Sequence, residues 1–182
     1  ISTATTSQRR QMIFELLTTY AILSKSSTPN FIWGQLQVPP AIGLVQAQEV
    51  SDSRVEKLER FFRARKSPLE FHAKTFIEVA DKEKTDWRLL AAISVVESGG
   101  GKRTPSCAKY NPFGWTSTTS PCGFYRFKDF DEAIQTVGYK LTHARAYKKF
   151  QQSGSVDQLS RVYNPGHAED WAGKLRKVME KI

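Results

Sequence analysis

The sequence runs to 182 residues, 40% hydrophobic and 12% aromatic, enough apolar material for one good core and too little for a second. Lysine and arginine outnumber aspartate and glutamate by 27 to 18, and the excess falls late: residues 98–182 carry 14 basic and 7 acidic side chains, against 13 and 11 before them. That balance leaves nucleic acid, anionic membrane and anionic cell-wall polymer level as partners and says nothing about fold, while two cysteines without CxxC or Cys/His ligand spacing argue against a zinc or redox centre.

The chain starts at Ile1. Arg9 and Arg10 precede an apolar run at residues 12–23, which is short for a bilayer span and is interrupted by Glu15. An export leader and an N-terminal helix packed on the domain both fit this pattern, and Val45-Gln46-Ala47 offers a small-residue cleavage site for the first. Residues 24–40 hold Ser-Ser-Thr-Pro and Pro-Pro and read as a linker. Residues 1–50 are therefore assigned to a leader or N-terminal helix with linker, and 51–182 to the domain.

From Ser51 the period turns helical. Val55, Leu58, Phe61 and Phe62 form one stripe; Leu69, Ala73, Phe76, Ile77 and Ala80 form a second after Pro68. A third helix starts near Thr85-Asp86, either of which can cap it, and runs through Leu89, Leu90, Ile93 and Val96 to Glu97, stopping at Gly99-Gly100-Gly101. The stretch to Lys128 has no helical period. Its Pro105, Pro112, Gly114, Pro121 and Gly123, with six aromatics, predict loop and a short hairpin, and Cys107 and Cys122 flank it, where a disulfide would restrain it in an exported chain. Helices return with a capping-box pattern at Asp129–Glu132 before Ile134, Val137 and Leu141, and another at Ser155–Gln158 before Leu159 and Val162. The last helix carries Trp171, Leu175, Val178 and Ile182 on one stripe. The fold class is α+β, mainly α, with a small β-hairpin lobe beside a cleft.

Glu97 stands on the wrong face. Leu90, Ile93 and Glu97 are spaced i, i+3, i+7, so the carboxyl shares the stripe that docks onto the core. Burial and the negative end of the helix dipole both favour the protonated acid. Such a neutral acid is what cleavage of a glycosidic bond requires, because the leaving oxygen must take a proton as the bond breaks. The competing reading pairs Glu97 with a buried arginine or a backbone cap. The glycine run, which lets a ligand approach the backbone closely, favours an acid at a cleft floor.

Val96-Glu97-Ser98-Gly99-Gly100-Gly101, followed by Tyr110-Asn111-Pro112-Phe113-Gly114-Trp115, resembles the glucosaminidase branch of the lysozyme-like superfamily, related to lytic transglycosylases. Further similarity lies in the segment from Phe124 to Ile134, in Tyr163-Asn164-Pro165 and in Trp171-Ala172-Gly173-Lys174-Leu175, all in family order between Ser51 and Ile182. The resemblance implies a lysozyme-like helical domain without cofactor, in which Glu97 is the general acid, Ser98 and the Asn111–Trp115 turn line the sugar subsites, and Tyr163 faces the cleft. Tyr110, Trp115 and Tyr125 are candidates to stack on sugar rings, whose CH faces are apolar. Phe113 is a candidate for the same role, with the core as its alternative. Trp171, on a clean stripe, is assigned to the core.

One departure bears on mechanism. From Ser98 to Lys128 there is no Asp or Glu, so the cleft loop cannot supply the second carboxylate of the usual glycosidase pair, though another helix can. This favours a single-acid mechanism with the substrate's own N-acetyl group or 6-hydroxyl as nucleophile. The expected function is cleavage of peptidoglycan glycan strands as an endo-β-N-acetylglucosaminidase. A lytic transglycosylase or muramidase on the same polymer and a non-catalytic glycan-binding or scaffold domain are the alternatives. The expected partners are glycan strands and anionic wall polymer, with the chain exported. A nucleic-acid binder would need interleaved cations on a recognition helix or stacking sheet, and Lys174, Arg176, Lys177 and Lys181 look instead like the solvated side of the last helix. His72, His143 and His167 have no mutual spacing that suggests a metal.

Overall fold

The computed structural model describes residues 52–182; the expectations for the leader, packed helix or linker lie outside these residues. Seven α-helices succeed one another there: α1 (Ser53–Ala64), α2 (Ala73–Glu83), α3 (Leu89–Ser98), α4 (Phe130–His143), α5 (Lys148–Ser153), α6 (Val156–Tyr163) and α7 (Ala168–Met179). The predicted second helix divides at His72, because Pro68 opens a tighter turn over Pro68–His72, capped by Ser67 Oγ on the Leu69 amide at 3.1 Å. The short α5 carries no signal of its own in the sequence.

Apolar stripes from most of these helices share one core. Leu58, Phe62, Phe76, Ile93, Ile134, Leu141, Leu159 and Leu175 are all fully buried in it. Where α2 crosses α4, Gly138 makes the close approach, since a Cβ there would lie 2.3 Å from Val79 Cγ1. Asp131 fastens the same pair of helices, accepting from Thr75 Oγ1 at 2.6 Å and meeting His72 Nδ1 at 2.8 Å. Start signals work locally too. Asp129 Oδ1 accepts from the Glu132 amide at 2.8 Å while Glu132 Oε2 reaches back to the Lys128 amide at 2.6 Å, and Asp86 Oδ1 takes the Arg88 amide at 2.9 Å. Ser155 differs: α6 starts after it, but its side chain makes no capping bond and its carbonyl receives the Gln158 and Leu159 amides instead.

Of the expected β-hairpin lobe only a trace is shown. Among the described residues, the strand structure reduces to one antiparallel bridge, Thr116 with Phe124, beside hydrogen bonds from the Ser117 amide to the Gly123 carbonyl and from Tyr125 to Trp115. The pairing stops beyond Trp115 and Tyr125 because Gly114 turns the chain at φ +62° and the Tyr125 carbonyl is taken by Asn111 Nδ2 at 3.0 Å. A disulfide between Cys107 and Cys122, 15 residues apart, holds this loop instead, and such a closure contributes on the order of 3 kcal/mol.

Candidate active site

Glu97 occupies the last turn of α3, on the side that faces α7. The helix stops because Gly99 adopts a left-handed conformation (φ +65°), with the Gly100 amide returning to the Ser94 carbonyl at 2.9 Å. Gly100 and Gly101 follow at φ +74° and +79°, a run that only glycine adopts without strain. Both are buried against Ser67, Pro68 and Phe130, so this run turns the chain and packs against the protein itself.

The close approach expected of those glycines occurs at Gly114. Its φ is +62°, and an added Cβ would sit 3.2 Å from Glu97 Oε2. The other carboxyl oxygen, Oε1, accepts a hydrogen bond from the indole Nε1 of Trp171 at 2.6 Å. Glu97 is thereby half-buried between a helix face and a bare backbone turn. Burial pushes its carboxyl above the ordinary glutamate value, and the Trp171 donor pulls it part of the way back. Other carboxyls move the opposite way: Asp81, Asp86, Asp131 and Asp170 are held low by bonds to arginine, threonine, histidine or lysine.

Four aromatic rings lead away from this carboxyl. Trp171 stacks on Tyr163 with centroids 5.0 Å apart and an angle of 20° between the planes; Trp115 meets Tyr163 edge-on at 6.0 Å and stacks on Tyr147 at 6.4 Å. The Tyr163 hydroxyl donates to the Phe113 carbonyl at 2.7 Å, anchoring the ring to the turn that carries Gly114. Burial raises Tyr147 to about 12 and Tyr163 well above its usual value, the latter helped by the Glu97 charge, so both rings stay neutral at working pH.

Glu97, Gly114, Trp115 and Tyr163, all singled out in the sequence, therefore meet in one place. Ser98, Asn111 and Phe113 do not present themselves to a ligand. Ser98 Oγ is buried, donates to the Pro112 carbonyl at 2.7 Å and accepts from the Gly101 amide at 2.8 Å. Asn111 is also buried. Its amide nitrogen donates to the carbonyls of Trp115 (2.8 Å) and Tyr125 (3.0 Å), and its oxygen receives the Trp115 amide at 2.9 Å. These two residues build the turn that brings Gly114 to Glu97. Phe113 is fully buried in the core, its alternative reading. Tyr110 packs edge-on against Phe130 at 5.3 Å, and Tyr125 is 41% exposed, tilted on Phe127. Trp171 is in the core, as its stripe predicts, while its bond to Glu97 and the whole of Tyr147 escape the sequence reading. For that bond a signal existed: a buried indole N–H needs an acceptor, and Glu97 is a carboxyl on an apolar stripe.

Elsewhere, a cavity of about 420 Å³ opens beside the start of α3, lined by Glu83, Asp86, Leu89, Phe150, Val156 and Met179. It belongs to the opposite end of that helix from Glu97, roughly 12 Å along the axis from Leu89.

A half-buried carboxyl with a raised pKa, bonded to one ring of an aromatic cluster, can hold a proton beside apolar faces. A family model described as glucosaminidase, mannosyl-glycoprotein endo-β-N-acetylglucosaminidase, matches residues 73–182, and the chain belongs to the glucosaminidase family, a family of glycan-cleaving enzymes. No curated protein and no solved structure gives a significant match. The family match begins with α2, so α1 and the Pro68–His72 turn precede it.

Proposed function

We propose that this protein cleaves the glycan strands of peptidoglycan as an endo-β-N-acetylglucosaminidase built on a lysozyme-like helical domain, with Glu97 as its general acid. The observation that carries this reading is the Glu97 carboxyl itself, lifted by burial toward the protonated form and open at Oε2 over Gly114. In the reaction the Glu97 proton passes to the glycosidic oxygen, and the bonding pair of the breaking C–O bond goes with that oxygen. The electron-deficient carbon is taken by the acetamido oxygen of the same sugar, and water then opens the ring so formed.

Support for a substrate-supplied nucleophile comes from where the nearest following acids are spent. Asp129 and Glu132 cap α4, and Asp131 is tied to His72 and Thr75. Trp115, with Tyr125 further along the same turn, is the candidate for stacking on sugar rings. The disulfide supports export, since such bonds persist in oxidising compartments, and peptidoglycan lies outside the cytoplasm.

The test is digestion of purified peptidoglycan with mass spectrometry of the released fragments. Reducing N-acetylglucosamine ends are expected. Anhydro-muramic ends would reassign the same acid to lytic transglycosylase chemistry, with the 6-hydroxyl as nucleophile. Binding without any release would make this a glycan-binding module.

A further inference from the structure

The Trp171 contact does more than fill the core. A protonated carboxyl has one hydroxyl oxygen and one carbonyl oxygen, and an indole N–H can only donate. Oε1 receives that N–H at 2.6 Å. The indole is 3% exposed and stacked on Tyr163, so water cannot replace it readily, and Tyr163 is in turn tied to the Phe113 carbonyl next to Gly114. The two oxygens of one carboxyl are thus given different surroundings by two segments far apart in sequence.

We infer that Trp171 is a positioning residue for the acid: its N–H reserves Oε1 as acceptor, puts the transferable proton on Oε2, and so directs the scissile oxygen to the Gly114 side. This rests on the reading of Glu97 as the acid. When the proton leaves Oε2 for the glycosidic oxygen, Glu97 becomes a carboxylate and its bond from Trp171 becomes charge-assisted, roughly twice as strong. A contact that strengthens as the proton departs stabilises the transition state more than the bound substrate. It also opposes burial, so that the acid remains willing to release the proton that burial makes it hold.

The experiment uses the full chain with Trp171→Phe, and a second variant carrying 3-benzothienylalanine at position 171, which replaces only the N–H by sulfur. The Glu97 carboxyl is followed by carbon-13 NMR titration, assigned by its disappearance in Glu97→Gln, and kcat and KM on peptidoglycan are measured across pH. Without the donor the carboxylate loses a partner, so Glu97 titrates at higher pH and the alkaline limb of kcat moves the same way. A displaced acid lowers kcat about 10- to 100-fold with KM little changed. An unshifted titration, or a rise in KM alone, overturns the inference. If Trp171→Phe fails to fold, the benzothienyl variant decides. An inactive wild type with a shifted titration sinks the glycosidase reading and leaves the indole–carboxyl coupling standing; an active wild type with an unshifted titration does the reverse.

Discussion

Glu97 Oε1 and Oε2 face different partners, and that asymmetry has a consequence for stability as well as chemistry. The folded pKa is raised, so above the ordinary glutamate value of 4.5 the folded state holds its proton more tightly than the unfolded one. Stability is therefore lost as pH climbs from that value through the folded pKa, and the loss persists above it. Glu97→Gln keeps an acceptor for Trp171 and has no charge to bury. Its melting temperature is expected to exceed that of the wild type at neutral and alkaline pH, the gain shrinking toward pH 4.5. A variant less stable than wild type at all pH values would mean that Glu97 is held as a favourable anion. Residue by residue, Glu97 was legible because its spacing from Leu90 and Ile93 broke the apolar pattern. Ser98 and Asn111 were legible as important, but short motifs do not say whether a polar side chain points at a ligand or at a carbonyl, and both bond to carbonyls here.

At the scale of elements, the α2–α4 crossing is the sharpest constraint. Alanine favours helix over glycine by about 1 kcal/mol, yet a Cβ at Gly138 would overlap Val79 Cγ1 and crowd Leu90 Cδ1 at 3.1 Å. Gly138→Ala should destabilise by about 1 to 3 kcal/mol in denaturant unfolding, and adding Val79→Ala should recover part of that loss. Strict additivity of the two would show that the helices do not meet there. The helices themselves were readable from the sequence, because a stripe of Leu58, Phe61 and Phe62 or of Ile134, Val137 and Leu141 has one period and one cause. Between Ser98 and Lys128 no period exists. That loop is shaped by its disulfide and by the Asn111 bond to the Tyr125 carbonyl, which join residues about 15 apart, and by glycines at positive φ, none of which has a period. Of the hairpin lobe that the turn residues there predict, the described residues show one antiparallel bridge.

At the scale of the whole molecule, the chain carries a net charge of +9, with its basic excess in residues 98–182. From Ala133 to Val156 there is no acid, while Lys140, Arg145, Lys148 and Lys149 are exposed, the last three flanking the Tyr147 ring of the aromatic cluster. Exposed charges act over about 10 Å at 0.1 M salt and less at higher salt. Binding to peptidoglycan that carries anionic polymer should therefore weaken steadily as salt is raised, measured as the fraction pelleted with the insoluble wall. Salt-independent pelleting would assign binding to the aromatic rings alone. The proposed chemistry rests on the Glu97 carboxyl, and comparing wild type with Glu97→Gln in the release of glycan fragments from purified peptidoglycan tests it. Loss of a general acid predicts release slowed about 10²- to 10⁴-fold with binding to the polymer retained. Equal release by the two proteins would contradict it.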